Sequence, residues 1–255
     1  MRLEGKRALI TGASRNIGRA IALAFAAEGA DLVLNTRINA AELEAVAADC
    51  RKAGVRVVSA LGDIGDASAV ETMVTRALSE LGAIDVLVCN AAIRPHTPIT
   101  EISVDDWHRV MAVDLHSAFY LARAVVPGMK AHGRGSIVAL GGQSAITGRP
   151  NTAAVTAAKS GLLGLVRALA AELGPFGIRA NMVVPGFIDT ERRYAEWYPE
   201  FKQTPPGDPA QLKEIPLRRL GRPEDIADAC VFLASDASAY VTGDTIRVMG
   251  GRIIG

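Results

Sequence analysis

The stretch that decides the fold is TGASRNIGRAIA, residues 11–22, which follows directly on the apolar run RALIT, residues 7–11. Gly12 and Gly18 bracket a loop, and a helical pattern of apolar residues begins near Ile17. The backbone N–H groups and the dipole at a helix N-terminus stabilise a phosphate, and glycine lets the ligand approach the backbone closely. A strand, a glycine-bounded turn and a helix in this order predict a binding site for the pyrophosphate of a dinucleotide.

Short apolar runs alternate with helix-length segments along the rest of the chain. The further runs are DLVLNT (31–36), VRVVSAL (55–61), IDVLVCN (84–90), GSIVAL (135–140), IRANMVV (178–184) and DTIRVMG (244–250). Nearly continuous apolar strands are typical of a parallel sheet that is covered by helices on both faces. No repeat or low-complexity linker divides the chain. We therefore predict a single α/β domain, residues 1–255, with a doubly wound Rossmann-type parallel sheet.

Composition limits the class of partner. The 255 residues include 28 Lys plus Arg against 27 Asp plus Glu, so no broad field attracts nucleic acid or an anionic membrane. The three cysteines, Cys50, Cys89 and Cys230, form no CxxC pair, so neither a disulfide framework nor a metal site is predicted. The N-terminus lacks the apolar region of a signal peptide, and the sequence shows no run of about 18 apolar residues. These features predict a soluble, cytoplasmic protein that acts on a small molecule.

The glycine turn resembles a specific family motif. Read from Thr11 to Gly18, TGxxxGxG is similar to the turn of the short-chain dehydrogenase/reductase family, and the similarity continues through essentially the whole chain. The middle glycine of the family is Asn16 here, which tolerates a positive φ but narrows the gap left for phosphate. Further similar segments are GDI with Asp63, CNAA at 89–92 and PGFIDT at 185–190. The resemblance implies that the cofactor is held by Gly12, Ser14, Arg15, Asn16, Ile17, Gly18, Arg37, Asp63, Ile64, Asn90, Ala91, Lys159, Pro185, Gly186, Ile188 and Thr190.

The end of the second predicted strand indicates which nicotinamide cofactor is bound. An NAD site usually carries an acidic residue about 20 positions beyond the glycine turn, where it accepts hydrogen bonds from the ribose. This chain has LNTRINAAE, residues 34–42, at that place. Arg37 can donate several hydrogen bonds to a 2′-phosphate, and by resemblance Arg15 points toward the same region. We predict NADP(H), with two solvated surface arginines as the alternative.

The family resemblance also locates the catalytic positions. Family members use a tyrosine as proton donor, a lysine four residues later, a serine that orients the carbonyl and an asparagine that anchors a water. Carried over without a gap, the segment 135–159 places Gly142 at the serine, Val155 at the tyrosine and Lys159 at the lysine, while VMAVDLHSAF places Asp114 at the asparagine. A positioned acid or base contributes roughly 10² to 10⁴-fold in rate. Ordinary carbonyl reduction by the family mechanism is therefore expected to be strongly impaired.

Three interpretations remain open. In the first, the protein is an oxidoreductase acting on a carbonyl or conjugated carbonyl compound, which can be acyl-linked, and Lys159 itself polarises the substrate oxygen. Asp114 and Ser144 complete the candidate catalytic set, with Thr156 and His116 as further groups, although Asp114 can simply hold a helix kink and His116 can simply pack. In the second, Lys159 and Asp114 serve a non-redox lyase or isomerase. In the third, the chain is a catalytically silent cofactor-binding subunit or sensor.

The segment 191–216 interrupts the strand and helix alternation with charge, proline and aromatic residues. We interpret it as a lid over the substrate, covering about 190–216. Four aromatic side chains lie there and favour a flat or apolar substrate, or else packing against a neighbouring subunit: Tyr194, Trp197, Tyr198 and Phe201. Arg192 and Arg193 are candidate contacts for an anionic group. The resemblance further implies a homotetramer, formed through helices at 103–132 and 152–176 and the C-terminal strand.

Overall fold

A computed structural model describes residues 1–191 and 212–254 of the chain. Seven parallel strands form one sheet in the order β3-β2-β1-β4-β5-β6-β7. The strands are β1 (Arg7–Ile10), β2 (Asp31–Thr36), β3 (Val57–Leu61), β4 (Val86–Cys89), β5 (Gly135–Leu140), β6 (Ile178–Pro185) and β7 (Thr245–Val248). Each predicted apolar run contains one strand, so the prediction of a Rossmann-type parallel sheet is confirmed.

Helices cover both faces of the sheet. Those in the described part of the chain are α1 (Asn16–Ala27), α2 (Ala40–Arg51), α3 (Ala67–Leu81), α4 (Val104–Met111), α5 (Ser117–His132), α6 (Ala153–Leu173) and α7 (Pro223–Ala234). The apolar faces of α3, α5 and α6 pack in one core on one side of the sheet. Those of α1, α2 and α7 pack in a second core on the other side. Strands buried on both faces explain why the sequence runs are continuously apolar rather than alternating.

The predicted helix at 103–132 is divided in the structure. It begins at the N-cap Ser103, whose hydroxyl accepts a hydrogen bond from the Asp106 N–H. Between α4 and α5 the backbone forms one turn of π-helix, called the π-turn below, over Ala112–His116. A π-turn inside a helix is uncommon and is frequent at functional sites. The turn changes the direction in which residues 112–116 project, and Asp114 lies in its middle.

Helix α6 and the 3₁₀ turn that follows it, residues 153–176, pass a length and composition test for a membrane span. It is the one helix of the described residues that does so. Leu162, Val166 and Leu173 of this helix pack in the core against the sheet. The fold itself therefore accounts for the apolar character of α6.

Candidate active site

The strand order reverses between β1 and β4, and this switch point holds the glycine turn. In open α/β sheets, ligands bind in the crevice at the carboxyl ends of the strands at such a point. The Thr11 hydroxyl, just after β1, accepts hydrogen bonds from the N–H groups of Asn90 at 3.0 Å and Ala91 at 3.1 Å. The Asn90 side chain in turn donates to the carbonyl oxygens of Thr11 at 2.9 Å and Gly12 at 3.1 Å. These bonds join the first turn rigidly to the end of β4.

The two glycines of the turn are required by close packing. A Cβ on Gly18 would overlap the carbonyl oxygen of Gly12, and a Cβ on Gly12 would lie 2.9 Å from the Ala91 Cα. Gly12 also has a φ of +64°, which favours glycine. Helix α1 begins immediately beyond, with no acidic residue in its first turn. The first turn of α1 therefore carries no carboxylate of its own that would repel a phosphate.

Asn16 occupies the middle position of the turn in a left-handed conformation, with a φ of +51°. Its side chain makes two hydrogen bonds with the backbone of Glu191. The Asn16 amide donates to the Glu191 carbonyl oxygen at 2.8 Å, and the Glu191 N–H donates back at 3.2 Å. The turn thus keeps the backbone shape of a glycine loop and gains a link to the beginning of the predicted lid.

The far end of the cleft carries the two arginines of the cofactor prediction. Arg15 precedes α1, and Arg37 follows β2 with its side chain exposed. The buried hydroxyls of Ser14 and Thr36 lie 3.4 Å apart and join the turn to the end of β2. Arg15 and Arg37 directly follow Ser14 and Thr36 in the chain, so the two predicted cofactor contacts flank this link.

Asp63 follows β3 at the same edge of the sheet. Its carboxylate accepts hydrogen bonds from the Gly65 N–H at 2.8 Å and pairs with Arg109 at 2.8 Å. Burial acts to raise the pKa of Asp63, but the hydrogen bonds from Arg109 and Gly65 outweigh it and hold the pKa below its usual range. Asp63 is thus an ionised acceptor, and the neighbouring Ile64 is buried.

The segment after β6 forms the opposite wall. Gly186 donates to the Val248 carbonyl oxygen at 3.0 Å, and a Cβ at Gly186 would overlap Met249. Buried Ile188 pairs with Gly221 in a short parallel bridge. The Thr190 hydroxyl lies 3.4 Å from the Ile188 carbonyl oxygen, which it faces as donor. Pro185, the last residue of β6, is partly buried. The segment therefore begins at the carboxyl end of β6, which lies next to β5 in the sheet.

Lys159 and Asp114 meet at the centre of the site. Both side chains are buried, and the Lys159 Nζ lies 3.4 Å from the Asp114 Oδ2. Lys159 also donates to the Leu140 carbonyl oxygen at 3.1 Å, at the end of β5. The Asp114 Oδ1 accepts a hydrogen bond from the Ile93 N–H at 2.8 Å. The structure therefore brings together two of the three residues predicted to be catalytic.

The second oxygen of Asp114 is exceptional. Oδ2 is the buried side-chain oxygen or nitrogen in the described part of the chain that lacks a hydrogen-bond partner. Buried polar atoms are almost always hydrogen-bonded, so such an atom calls for an explanation. Burial raises the pKa of Asp114 above its usual range, although the Lys159 ammonium and the Ile93 N–H act in the opposite direction. A carboxyl group with a raised pKa beside an ammonium is a group that can exchange a proton with it.

Val155 lies one helical turn before Lys159 and is only 4% exposed. It packs with Val110, Ala154 and Ala158 in a small apolar cluster. An apolar side chain at this position offers neither a donor nor an acceptor to a ligand. The cluster instead supplies a low-dielectric wall, which strengthens charge interactions in its neighbourhood.

Gly142 and Ser144 lie in the loop after β5. A Cβ added at Gly142 would meet nothing nearer than the Ser144 Oγ at 3.6 Å, so there is room for a side chain there. Ser144 is half-buried in a 3₁₀ turn, Gln143–Ala145, and in the described residues no hydrogen bond joins it to Lys159 or Asp114. The third predicted catalytic residue thus borders the site without joining the pair.

The two further candidates have ordinary partners. The His116 ring stacks edge-on against Tyr120, with ring centroids 6.4 Å apart. The Thr156 hydroxyl lies 3.1 Å from that of Thr152 in the first turn of α6. These contacts favour the structural interpretation of both residues.

Sequence reasoning missed two residues at the site, Gln143 and Arg252. The Arg252 guanidinium donates to the Gln143 Oε1 and pairs with Glu214 at 2.6 Å, and it lies 3.8 Å from the centre of the Phe187 ring. No local pattern in the sequence indicates this cluster, because its members are far apart in the chain. Only the approach of the C-terminal segment to the loop after β5 joins them.

Metal and thiol chemistry find no support in the described residues. Residues 1–191 and 212–254 contain no group of three His, Cys, Asp or Glu side chains that could hold a metal ion. The three cysteines are free and buried, and burial raises the pKa of Cys89 to about 12. The predictions for Arg192, Arg193 and the aromatic residues at 194, 197, 198 and 201 lie outside the described residues.

The sheet order, the glycine turn at the switch point and the buried lysine define a Rossmann-type nucleotide-binding protein with a polar site at the carboxyl edge of the sheet. A family model described as enoyl-(acyl carrier protein) reductase matches residues 12–252. L-rhamnose 1-dehydrogenase (NAD(P)+) of Sphingomonas sp. is 37% identical over 99% of this chain and 98% of its own length. The chain belongs to the short-chain dehydrogenase/reductase family, whose members are oxidoreductases.

Two further similarities extend over the full length. The 3-oxoacyl-(acyl-carrier-protein) reductase of Thermotoga maritima is 37% identical over 100% of both chains. A crystal structure described as a short-chain alcohol dehydrogenase from Sinorhizobium meliloti superimposes with a TM-score of 0.91. That structure is 36% identical, with 98% of this chain and 97% of the other chain covered.

Proposed function

We propose that this protein is an NADP(H)-dependent oxidoreductase acting on a carbonyl or conjugated carbonyl substrate, with Lys159 and Asp114 serving in place of the usual serine and tyrosine. The observation that carries the proposal is the buried pair itself, in which an ammonium lies 3.4 Å from a carboxyl oxygen without a hydrogen-bond partner. Burying two charged groups costs free energy. Here one carboxyl oxygen is left without a hydrogen bond, whereas both oxygens of the buried Asp85 are hydrogen-bonded. Such pairs are found preferentially at functional sites.

The glycine turn fits a dinucleotide. Gly12 and Gly18 leave a gap that a Cβ would fill, and the N-terminus of α1 beyond them has no acidic neighbour in its first turn. Arg15 and Arg37 favour the 2′-phosphate of NADP(H) over NAD(H). When bound, the reduced nicotinamide supplies the hydride. The remaining cofactor contacts proposed are those of Asp63, Asn90 and the 185–190 segment.

The pair has a defined role in proton transfer. The Lys159 ammonium donates a hydrogen bond to the substrate oxygen, on which negative charge develops as hydride reaches the carbon. It then gives a proton to that oxygen. With a conjugated substrate this yields an enol, which becomes the carbonyl product when water protonates its carbon and takes up the proton of its oxygen. The Asp114 Oδ2, 3.4 Å away, returns a proton to the amine. Val155 contributes an apolar wall that keeps the charges in a low-dielectric setting.

The substrate classes proposed for this protein are taken from the names of its relatives. One relative is named as a 3-oxoacyl-(acyl-carrier-protein) reductase and another as an L-rhamnose dehydrogenase. The matching family model is described as an enoyl-(acyl carrier protein) reductase. We propose a conjugated or acyl-linked carbonyl, because the Lys159 ammonium can stabilise the enolate that forms from the first and the alkoxide that forms from the second. The segment at about 190–216 is proposed as the substrate lid. Its described ends are held by Asn16 and Arg252, through Glu191 and Glu214.

Assembly and location are further parts of the proposal. Apolar side chains exposed on or just beyond α5 and α6, Phe119 at 49% and Phe176 at 43%, support a homotetramer formed through these helices. Three buried free thiols suit the reducing cytoplasm. The formal net charge of +1 supports a small-molecule substrate rather than nucleic acid or a membrane surface.

The test combines cofactor titration and turnover. We expect NADPH to bind more tightly than NADH, and Arg37→Ala to weaken NADPH by about 10- to 100-fold, the equivalent of one charge-assisted hydrogen bond. Enoyl thioesters, 3-oxoacyl thioesters and aldoses are then screened with both cofactors. Lys159→Met should abolish turnover. Tighter binding of NADH would refute the cofactor assignment, and an inert wild type that still binds NADPH would favour a silent subunit.

A further inference from the structure

Gly142 has no side-chain donor for a substrate oxygen. The next residue, Gln143, carries a side-chain amide. Gln143 begins the 3₁₀ turn after β5, three residues beyond Leu140, whose carbonyl oxygen binds Lys159. The amide of Gln143 therefore belongs to the same short loop that anchors the catalytic lysine. A side-chain amide offers two N–H donors and one carbonyl acceptor, so its orientation decides what it can do.

Arg252 fixes that orientation. Its guanidinium donates to the Gln143 Oε1. Because a guanidinium carries only donors, the amide must turn its oxygen toward Arg252 and its Nε2 away. The Nε2 group faces the Thr147 hydroxyl at 3.5 Å, the limit of a hydrogen bond, so its donors are weakly used. An oriented amide with spare donors is thus held beside Gly142.

Arg252 is itself held in place. Its Nε and Nη2 atoms donate to the Glu214 Oε2 at 3.0 and 2.6 Å, and its guanidinium lies over the Phe187 ring at 3.8 Å. Only 16% of the Arg252 side chain is exposed. Phe187 belongs to the segment 185–190, which forms the opposite wall of the cleft. The orienting cation therefore spans the cleft wall, the end of the proposed lid and the loop of Gln143.

We propose that the Gln143 amide, oriented by Arg252, donates the hydrogen bond to the substrate carbonyl oxygen that the absent hydroxyl at position 142 would otherwise supply. The inference rests on the proposed function and adds a second donor to that of Lys159. Gln143 is then a catalytic residue, and Arg252 is a positioning residue that acts through it. Donors of this kind stabilise negative charge on the oxygen more in the transition state than in the bound substrate.

The primary experiment substitutes Gln143→Met, which keeps the length of the side chain and removes both donors. We expect kcat/KM for a 3-oxoacyl thioester of N-acetylcysteamine to fall by about 100-fold, through a lower kcat and a higher KM, with NADPH affinity unchanged. Arg252→Met should give a smaller loss, because the amide remains but can rotate. Arg219→Met is the matched control, since Arg219 makes a similar two-bond pair with Asp225, at 2.7 and 3.2 Å, and should leave activity unchanged.

A rescue variant distinguishes catalysis from loop structure. Gly142→Ser has room for its side chain. Placed in the Gln143→Met background, it should restore most of the lost kcat, whereas in the wild type it should have little effect. Full activity of Gln143→Met, or a loss that Gly142→Ser does not repair, would overturn the proposal.

A binding measurement separates this inference from the proposed function. The affinity of the same thioester for the protein with bound NADP⁺ needs no turnover, and Gln143→Met should weaken it. If the wild type binds NADPH but reduces nothing, the proposed function fails, and equal thioester affinity in wild type and variant then overturns the role of Gln143 as well. Weaker thioester binding by Gln143→Met would support that role independently of turnover.

Discussion

At the scale of single residues, Asp114 and Asp85 are both buried carboxyl groups beside a cation, yet their pKa values shift in opposite directions. Asp114 accepts one N–H hydrogen bond and faces an ammonium at 3.4 Å, so burial dominates and its pKa rises. Asp85 accepts from the backbone and guanidinium of Arg7 and pairs with Arg134, which outweighs burial and lowers its pKa. The number of donors around each carboxylate decides the sign.

Asp114→Asn should remove a pH-dependent part of the stability. Because burial raises the folded pKa of Asp114 above the unfolded value of about 3.9, the folded protein binds more protons than the unfolded chain between these two pKa values. The free energy of unfolding of the wild type, relative to the variant, is therefore greatest below the lower of the two. It should fall as the pH rises toward the raised folded pKa.

Urea titrations at several values between about pH 4 and about pH 8 measure this difference. A wild-type advantage that grows with pH would mean that Lys159 keeps Asp114 ionised, which would remove the proton reservoir from the proposed mechanism. Asp85→Asn serves as the control, because the contribution of Asp85 changes only below a pH of about 3.9 and should stay constant over this range.

At the scale of elements, Asn16 couples the glycine turn to the chain that leaves β6. Two hydrogen bonds join its side chain to the backbone of Glu191, 175 residues away. The bonds lie at an exposed place, so each contributes only about 0.5–1.5 kcal/mol net. They nevertheless fix where the proposed lid begins relative to the phosphate site.

Asn16→Gly should keep the turn, because glycine adopts the φ of +51° without strain, but it should release Glu191. We expect the Glu191 amide to exchange faster with solvent deuterium by about 10-fold, the equivalent of about 1.4 kcal/mol. Asn16→Asp is the matched control, because it keeps the acceptor for this N–H and loses only the donor to the carbonyl oxygen. Unchanged exchange in Asn16→Gly would show that the link does not hold the segment.

The local sequence carries no signal for the π-turn of residues 112–116, although the family resemblance allowed a helix kink at Asp114. The stretch AVDLH contains no glycine or proline that would interrupt the predicted helix 103–132. Local propensity is the same for an α-helix and a short π-turn, so tertiary contacts decide between them. Here the Asp114 side chain gains its contacts to Ile93 and Lys159 within that turn.

At the scale of the whole molecule, Asp85 joins the central strands at the edge of the sheet opposite the active site. It immediately precedes β4, while Arg7 begins β1 and Arg134 precedes β5. The Asp85 carboxylate accepts from Arg7 at 2.7 Å and pairs with Arg134 at 3.2 Å, and its backbone bonds to both neighbouring strands. One buried carboxylate therefore holds three strands in register at their N-terminal ends.

Asp85→Asn should destabilise the fold without affecting the chemistry. Removing one partner of a buried pair leaves the other charge uncompensated, and we expect a loss of about 3 kcal/mol in the free energy of unfolding. Arg134→Ala is the control, because the Arg134 side chain is 61% exposed and should cost at most about 1 kcal/mol.

Because the folded pKa of Asp85 is depressed, its contribution is present above a pH of about 3.9 and is lost as the pH falls through the folded value. Thermal and urea unfolding measure the loss. Equal stability of Asp85→Asn and wild type would contradict this role.

The sequence alone determined the sheet, its seven strands and the position of the glycine turn, because these depend on local patterns. Continuous apolar runs can be satisfied only by burial on both faces, and a glycine-bounded turn before a helix has few other uses. It also located Lys159 and Asp114 one by one. It could not say that their charged groups meet, since 45 positions separate them in the chain.

Only the tertiary structure decided which polar groups act together. Arg252 reaches Gln143 across 109 positions and Asn16 reaches Glu191 across 175, and no local pattern encodes either contact. Such pairs form because the carboxyl ends of parallel strands converge on one edge, where loops far apart in sequence become neighbours. Burial then acts on the assembled site, since the loss of solvent around Asp114 depends on the helices packed over it, and this loss of solvent raises its pKa.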